Sequence, residues 1–238
     1  MLHGLGANCS SWTLQFEALG DMGFRPIAPD LPGFGSSAYD GKGWSIKRSA
    51  SLLAELVDEL EVGHVDIVGL SMGGVVAQQF ALDFPAKVRK LVLVSTFSAL
   101  RPSSLSEWVY FFQRALIVHL LGVKTQASFV ARRVFPHENQ AGLRKMAEEQ
   151  IASADPRAYR AAMSGLGLFN STGMLKSIHI PTLVVSGEDD STVPPGRQAV
   201  LANSIPGSRQ VIIKQAGHAL TIDQYEEFNG LLLKFLVE

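Results

Sequence analysis

Residues 65–80 read Val65-Asp66-Ile67-Val68-Gly69-Leu70-Ser71-Met72-Gly73-Gly74-Val75-Val76-Ala77-Gln78-Gln79-Phe80. Val65–Gly69 is a short apolar run rich in β-branched side chains. Val75–Phe84 carries a helical pattern that Pro85 stops. Between them Gly69-Leu70-Ser71-Met72-Gly73 fits G-x-S-x-G, with a further glycine at Gly74. So short a pattern arises often by chance, but a strand directly before and a helix directly after supply the context that its chemistry requires. A serine on a sharp strand-to-helix turn sits in a strained backbone conformation, and small residues two positions to either side let the chain fold tightly. The helix N-terminus beneath it adds positive potential where an oxyanion would form. Ser71 is the expected nucleophile; the alternative is an idle serine in a glycine-rich turn.

Strand–helix alternation extends to both sides. Arg25–Asp30 reads as a strand entering the turn Asp30-Leu31-Pro32-Gly33-Phe34-Gly35-Ser36. Leu52, Leu53, Leu56, Val57 and Leu60 recur at helical spacing and predict a helix from about Ser45 to Leu60. Leu91–Ser95, Thr182–Ser186 and Arg209–Lys214 read as further strands. A closing helix over Gln224–Leu236 has Tyr225, Phe228, Leu231, Leu232 and Phe235 on its buried side. The expected fold class is α/β, a mostly parallel sheet flanked by helices. One stretch departs from the alternation: 101–172 contains only helical segments, at Leu105–Leu121, Thr125–Val134, Leu143–Ala152 and Pro156–Leu166. It reads as an inserted all-helical cap between core segments 1–100 and 173–238.

Composition narrows the function classes. The chain has 238 residues, 47% hydrophobic and 18% charged, which excludes intrinsic disorder. Twenty-one Lys and Arg against 22 Asp and Glu give a net charge of −1 and no basic stripe for a nucleic acid. Cys9 is the only cysteine, so neither a disulfide framework nor a cysteine-built metal site is available. No apolar run approaches a membrane span, and Met1-Leu2-His3-Gly4 does not read as a secretory signal; a cytoplasmic protein is expected. The sequence has no G-x-G-x-x-G after a strand, no phosphate loop and no H-E-x-x-H, so no cofactor and no metal are expected.

From His3 to the C-terminus the chain resembles the α/β-hydrolase family. His3-Gly4-Leu5-Gly6 followed by Trp12 resembles the family's oxyanion segment and the helix after it. Asp30–Ser36 is similar to the turn after the next strand, and Gly69–Gly74 to the nucleophile elbow. Gly187-Glu188-Asp189-Asp190 and Gly217-His218 resemble the late acid and base motifs, and the helical insertion stands where the family carries its lid.

A serine hydroxyl needs a base, and histidine suits that role near neutral pH. Of six histidines, His218 lies at the end of the last strand before the closing helix, where the family holds its base. His64 and His179 fall at the far end of the sheet and His119 and His137 in the cap; His3 is expected to be structural. The base needs a carboxylate partner. Glu188, Asp189 and Asp190 crowd one loop, and resemblance to the family's G-x-x-D pattern, with Pro194 closing the loop, selects Asp190. The order Ser71, Asp190, His218 is the one expected of this fold. By the same resemblance the backbone N–H groups of Leu5 and Met72 form the oxyanion hole.

Family members normally have strands ahead of the His-Gly segment, where this sequence has only Met1 and Leu2. Either Met1 is an internal methionine of a longer protein, or the fold's N-terminal strands are missing, which would leave buried backbone groups unpaired at about 1–3 kcal/mol each. A partner subunit is the simplest source of a replacement strand, so a dimer is one expectation. Aromatic residues of the cap, Trp108, Phe111 and Phe112 among them, are expected to line a pocket for a small to medium apolar substrate. Arg132-Arg133 reads as a solvated helix face.

Serine at position 71 excludes the aspartate nucleophile of haloalkane dehalogenases and epoxide hydrolases. Carbon–carbon hydrolases usually carry a tryptophan where Ala219 stands, and cofactor-free perhydrolases an aromatic residue at the position of Leu5. Enol-lactonases share the Gly-Leu-Gly-Ala opening and the Ser-Met-Gly-Gly elbow. Hydrolysis of a small-molecule carboxylic ester is the expected function, with enol-lactone or carbon–carbon bond hydrolysis on the same triad as the alternative. A small-molecule receptor on a hydrolase fold is the alternative from another class.

Overall fold

A computed structural model of the chain describes residues 1–102 and 104–238. Strands β1 (Val65–Leu70), β2 (Val88–Val94), β3 (Thr182–Gly187) and β4 (Arg209–Ile213) lie in that order in one parallel sheet. The near-continuous apolar runs of β1 to β3 are what a parallel sheet buried on both faces needs. Side chains alternate along each strand. Ile67, Leu91, Leu93 and Val184 join a core with helices α2 (Ile46–Glu59) and α3 (Met72–Asp83). Their neighbours Val68, Val92, Val94 and Val185 face a second core, with Trp12, Leu19 of α1 (Thr13–Asp21) and the closing helix. The mostly parallel sheet flanked by helices expected from the sequence is therefore the architecture observed, with four parallel strands among the described residues between two helical layers.

Helix α2 begins where Ser45 accepts the Arg48 N–H on its hydroxyl, at 3.1 Å, satisfying one amide that lacks an intrahelical partner. Between β2 and β3 run α4 (Leu105–Leu120), α5 (Val123–Val134), α6 (Ala141–Ser153) and α7 (Pro156–Leu168). The insertion is fastened where it leaves the sheet. Ala99 bridges Asn170, and Ser171 N–H donates to Ser98 O at 2.9 Å. Its buried side chains, Val118, Ala127, Ile151, Tyr159 and Leu166 among them, continue the α2–α3 core. The remaining helices are α8 (Pro195–Ser204), the short α9 (Leu220–Asp223) and α10 (Tyr225–Val237).

Two expectations are corrected. Residues 25–30 form no strand. Pro26 and Pro29 have no N–H for a ladder, and the Met1 amine donates to Ile27 O at 2.6 Å. Burial pushes that amine down to about 5. Leu2 is instead bound to β1: its N–H donates to Val68 O at 2.8 Å and its carbonyl accepts Leu70 N–H at 3.0 Å. In α10 the buried side is Phe228, Leu232, Phe235 and Leu236, whereas Tyr225, the first residue of the helix, is 38% exposed.

Candidate active site

Ser71 follows the last residue of β1 and caps α3, with φ 53° and ψ −112°. Left-handed φ is costly for a residue with a Cβ and persists where neighbours over-determine it. Here Ser71 N–H donates to Val94 O at 2.9 Å, and Ser71 O accepts Thr96 Oγ1 at 2.7 Å. Gly73 makes the turn possible in another way. A Cβ at this position would come within 2.1 Å of Leu2 O, so the segment leading to His3 crosses the start of α3 at backbone contact.

The late loops converge on the same end of the sheet. A Cβ on Gly187 would lie 2.3 Å from Gly217 O, so the loops after β3 and β4 touch through bare backbone. Asp190 is buried and its Oδ2 lies 2.9 Å from His218 Nδ1. Its Oδ1 accepts the N–H groups of Thr192 and Val193, both at 2.8 Å. With both oxygens engaged, the carboxylate is held as an acceptor whose second oxygen is aimed at the imidazole. Gln198 supports it, donating to Val193 O at 2.7 Å and to Asp190 Oδ2 at 3.4 Å. Glu188 and Asp189 are exposed. Beneath the imidazole, Asp223 Oδ2 accepts Gly217 N–H at 3.0 Å, and burial pushes the Asp223 carboxyl up. Neither Gln198 nor Asp223 was singled out in the sequence, where no motif marks either of them.

Ser71 and His218 open into one cavity of about 450 Å³, beneath the inserted helices. Ser71 Oγ makes no hydrogen bond to the imidazole in this structure; such contacts often tighten only when substrate is bound. Leu5 lines the cavity too, and a Cβ on Gly4 would lie 3.6 Å from Ser71 Cβ. Among the described residues the Leu5 N–H has no acceptor, and Met72 N–H opens α3, where helical amides have none. His3 is buried and joins this segment to the Leu31 loop.

The remaining histidines, His64, His119, His137 and His179, are exposed. Of the three cap aromatics expected at the pocket, Phe111 lines it. Trp108 and Phe112 do not: they lie on the outer side of α4, 61% and 66% exposed. Tyr110 and Arg114 line it instead, together with Phe97, Val130, Phe135 and Met146. Arg132 is exposed, while Arg133 stacks on Tyr110 with its guanidinium carbon 4.4 Å from the ring centre. Among the described residues no cluster of His, Cys, Asp or Glu could hold a metal ion, and no helix is long and apolar enough to cross a membrane.

A parallel sheet carrying a serine on its strand-to-helix turn, opposite a histidine backed by a buried carboxylate, defines a hydrolase. The chain belongs to the alpha/beta hydrolase fold family, whose family model matches residues 1–225. It is 32% identical over 248 residues to a poly(3-hydroxyalkanoate) depolymerase of Ectopseudomonas oleovorans, covering 99% of this chain and 83% of that one. It is 31% identical over 240 residues to a putative carbamate hydrolase RutD of Variovorax paradoxus, covering 98% and 89%. Among solved structures, the malate-bound thermophilic esterase of Thermogutta terrifontis superposes with a TM-score of 0.86 at 31% identity, covering 99% and 87%.

Proposed function

We propose that the chain hydrolyses carboxylic esters of small to medium apolar groups through an acyl-enzyme on Ser71. In the first half-reaction Ser71 Oγ adds to the ester carbonyl carbon as His218 Nε2 takes its proton. Asp190 holds the imidazole with Nδ1 protonated and stabilises the imidazolium. The N–H groups of Leu5 and Met72 face the developing oxyanion. Collapse breaks the bond to the alcohol, which leaves with the proton from His218. In the second half-reaction a water gives a proton to His218 and attacks the acyl carbon, and the acid departs as Ser71 recovers its proton.

What supports the reading is one apolar cavity onto which Ser71 and His218 both open, with Asp190 at 2.9 Å behind the imidazole. The similarity to an esterase and to a depolymerase points the same way. The test is turnover of p-nitrophenyl esters of graded acyl length, with fluorophosphonate labelling. Many turnovers are expected, with labelling at Ser71 and a loss of several orders of magnitude in Ser71→Ala. Labelling at another residue, or an active Ser71→Ala, overturns the assignment. Stoichiometric binding without turnover identifies a receptor.

A further inference from the structure

The cavity wall contains one side chain that ester hydrolysis alone does not use. Arg114 is on α4, one turn after Tyr110 and Phe111, and like them it faces the cavity. It is the only Lys, Arg, Asp or Glu among the described residues that line it. No carboxylate pairs with it among the described residues. Its Nε is buried without a hydrogen-bond partner, and so is the hydroxyl of Tyr159. The guanidinium carbon sits 5.7 Å from the ring centre of Tyr110.

Four other arginines in or beside the cap are occupied. Arg133 donates to Ser191 O, and Arg144 to the carbonyls of Phe135, Pro136 and His137. Arg157 pairs with Asp155 and Arg197 with Glu107. A partly buried cation without a counter-charge is unfavourable, because it loses hydration without gaining a partner. A guanidinium held this way, in walls that are otherwise mostly apolar and carry no carboxylate, is matched by a planar anion that accepts two parallel N–H groups.

We propose that Arg114 binds a carboxylate carried by the substrate, so that the ester cleaved at Ser71 belongs to an acidic compound. The inference rests on the esterase reading. The carboxylate belongs either to the acyl part, as in a monoester of a dicarboxylic acid, or to the alcohol part, as in an acylated hydroxy acid. Both present the same group to Arg114.

Two substrate pairs and one titration test it, each with wild type, Arg114→Met and Arg114→Lys. Mono-p-nitrophenyl glutarate is compared with p-nitrophenyl pentanoate, and 4-acetoxybutanoate with pentyl acetate. For one acidic ester kcat/KM should exceed that of its neutral counterpart by about tenfold or more, and the pair in which this occurs identifies the side that carries the carboxylate. Arg114→Met should erase the preference by a loss on the acidic ester about tenfold larger than on its neutral counterpart; Arg114→Lys should keep part of it. Calorimetric titration with adipate should detect binding to wild type and none to Arg114→Met. Equal rates on acidic and neutral esters, or a uniform loss on all four in Arg114→Met, overturn the proposal. Were wild type to cleave none of the esters, the esterase reading would fail by itself. The adipate titration would then decide the role of Arg114: binding abolished in Arg114→Met upholds it, and no binding to wild type overturns it.

Discussion

His3 donates from Nδ1 to the carbonyl of Gly4 at 2.9 Å, and the peptide so held carries the Leu5 N–H on its opposite edge. The donor assignment follows from the other nitrogen. Leu31 N–H donates to Nε2 at 2.9 Å, so Nε2 is unprotonated and a neutral ring has its proton on Nδ1. A trans peptide is planar, so fixing C=O fixes N–H in the opposite direction. His3 thus acts through Gly4 on one of the two proposed oxyanion donors, without touching substrate.

His3→Ala should accordingly lower kcat by about 10–10² while KM changes little, since a misaimed donor weakens only the oxyanion contact. It also strands the buried Leu31 amide, at a cost of about 1–3 kcal/mol in stability. Burial lowers the pKa of His3 below 6.5, outweighing Gly4 and Asp30, which raise it. The unfolded chain therefore binds the proton more readily than the folded one. The His3 contribution should be constant above pH 6.5 and should fall as the pH drops below it. Urea denaturation at pH 7.5 and pH 5.5 checks this. The drop between the two should shrink in His3→Ala; an unchanged drop would assign the acid sensitivity to other groups.

The elbow makes opposite predictions for two neighbouring positions. Ser71→Gly removes a Cβ from a backbone at φ 53° and should raise stability by about 1 kcal/mol or more while ending turnover. Gly73→Ala places a Cβ 2.1 Å from Leu2 O and should destabilise by about 1–3 kcal/mol. Thermal melting separates them by the sign of the shift. A stabilised Gly73→Ala would mean that the Leu2 segment does not cross α3 so closely in solution.

Asp190→Asn should cost about 10³–10⁴ in kcat, because an amide in place of Oδ2 no longer fixes the ring with Nδ1 protonated. Asp189→Asn, on an exposed side chain, should leave the rate within about threefold. Steady-state rates of the two variants on one ester decide it, and equal losses would remove Asp190 from the orienting role.

Where the sequence was informative, the physics is local. Val65–Gly69 followed by a glycine-flanked serine and a helical pattern can satisfy itself within a few residues, and β1, Ser71 and α3 occupy those positions with shifts of one to three residues. Residues 25–30 fail for a non-local reason: a strand exists through its neighbour's hydrogen bonds, and a segment with prolines at 26 and 29 lacks two of the donors that a ladder needs. The choice between Asp189 and Asp190 was equally non-local, since adjacent carboxylates differ only in which one the β4 loop meets. In α4 the difficulty is an excess of signal. Its apolar residues surround the helix, so periodicity alone does not say which side faces inward. Arg114, a charge at one-turn spacing from Tyr110 and Phe111, is matched by Glu107 at the same spacing on their other side, so the asymmetry lies in exposure, which packing sets.

That asymmetry yields the last prediction, on substrate choice. Phe111 faces the cavity, whereas Trp108 and Phe112 are 61% and 66% exposed on the other side of the same helix. Truncating Phe111 to alanine enlarges the space around the bound acyl group. It should shift discrimination between short and long p-nitrophenyl esters by about 1–3 kcal/mol, towards the longer chains. Trp108→Ala and Phe112→Ala remove surface that the substrate does not touch, so their acyl-length profiles should superimpose on that of wild type. The ratio of kcat/KM values across four acyl lengths is the measurement, since it cancels any loss of active protein. A Trp108→Ala profile displaced like that of Phe111→Ala would mean that α4 turns its outer side to the substrate during turnover, and the inner side would then no longer define the pocket.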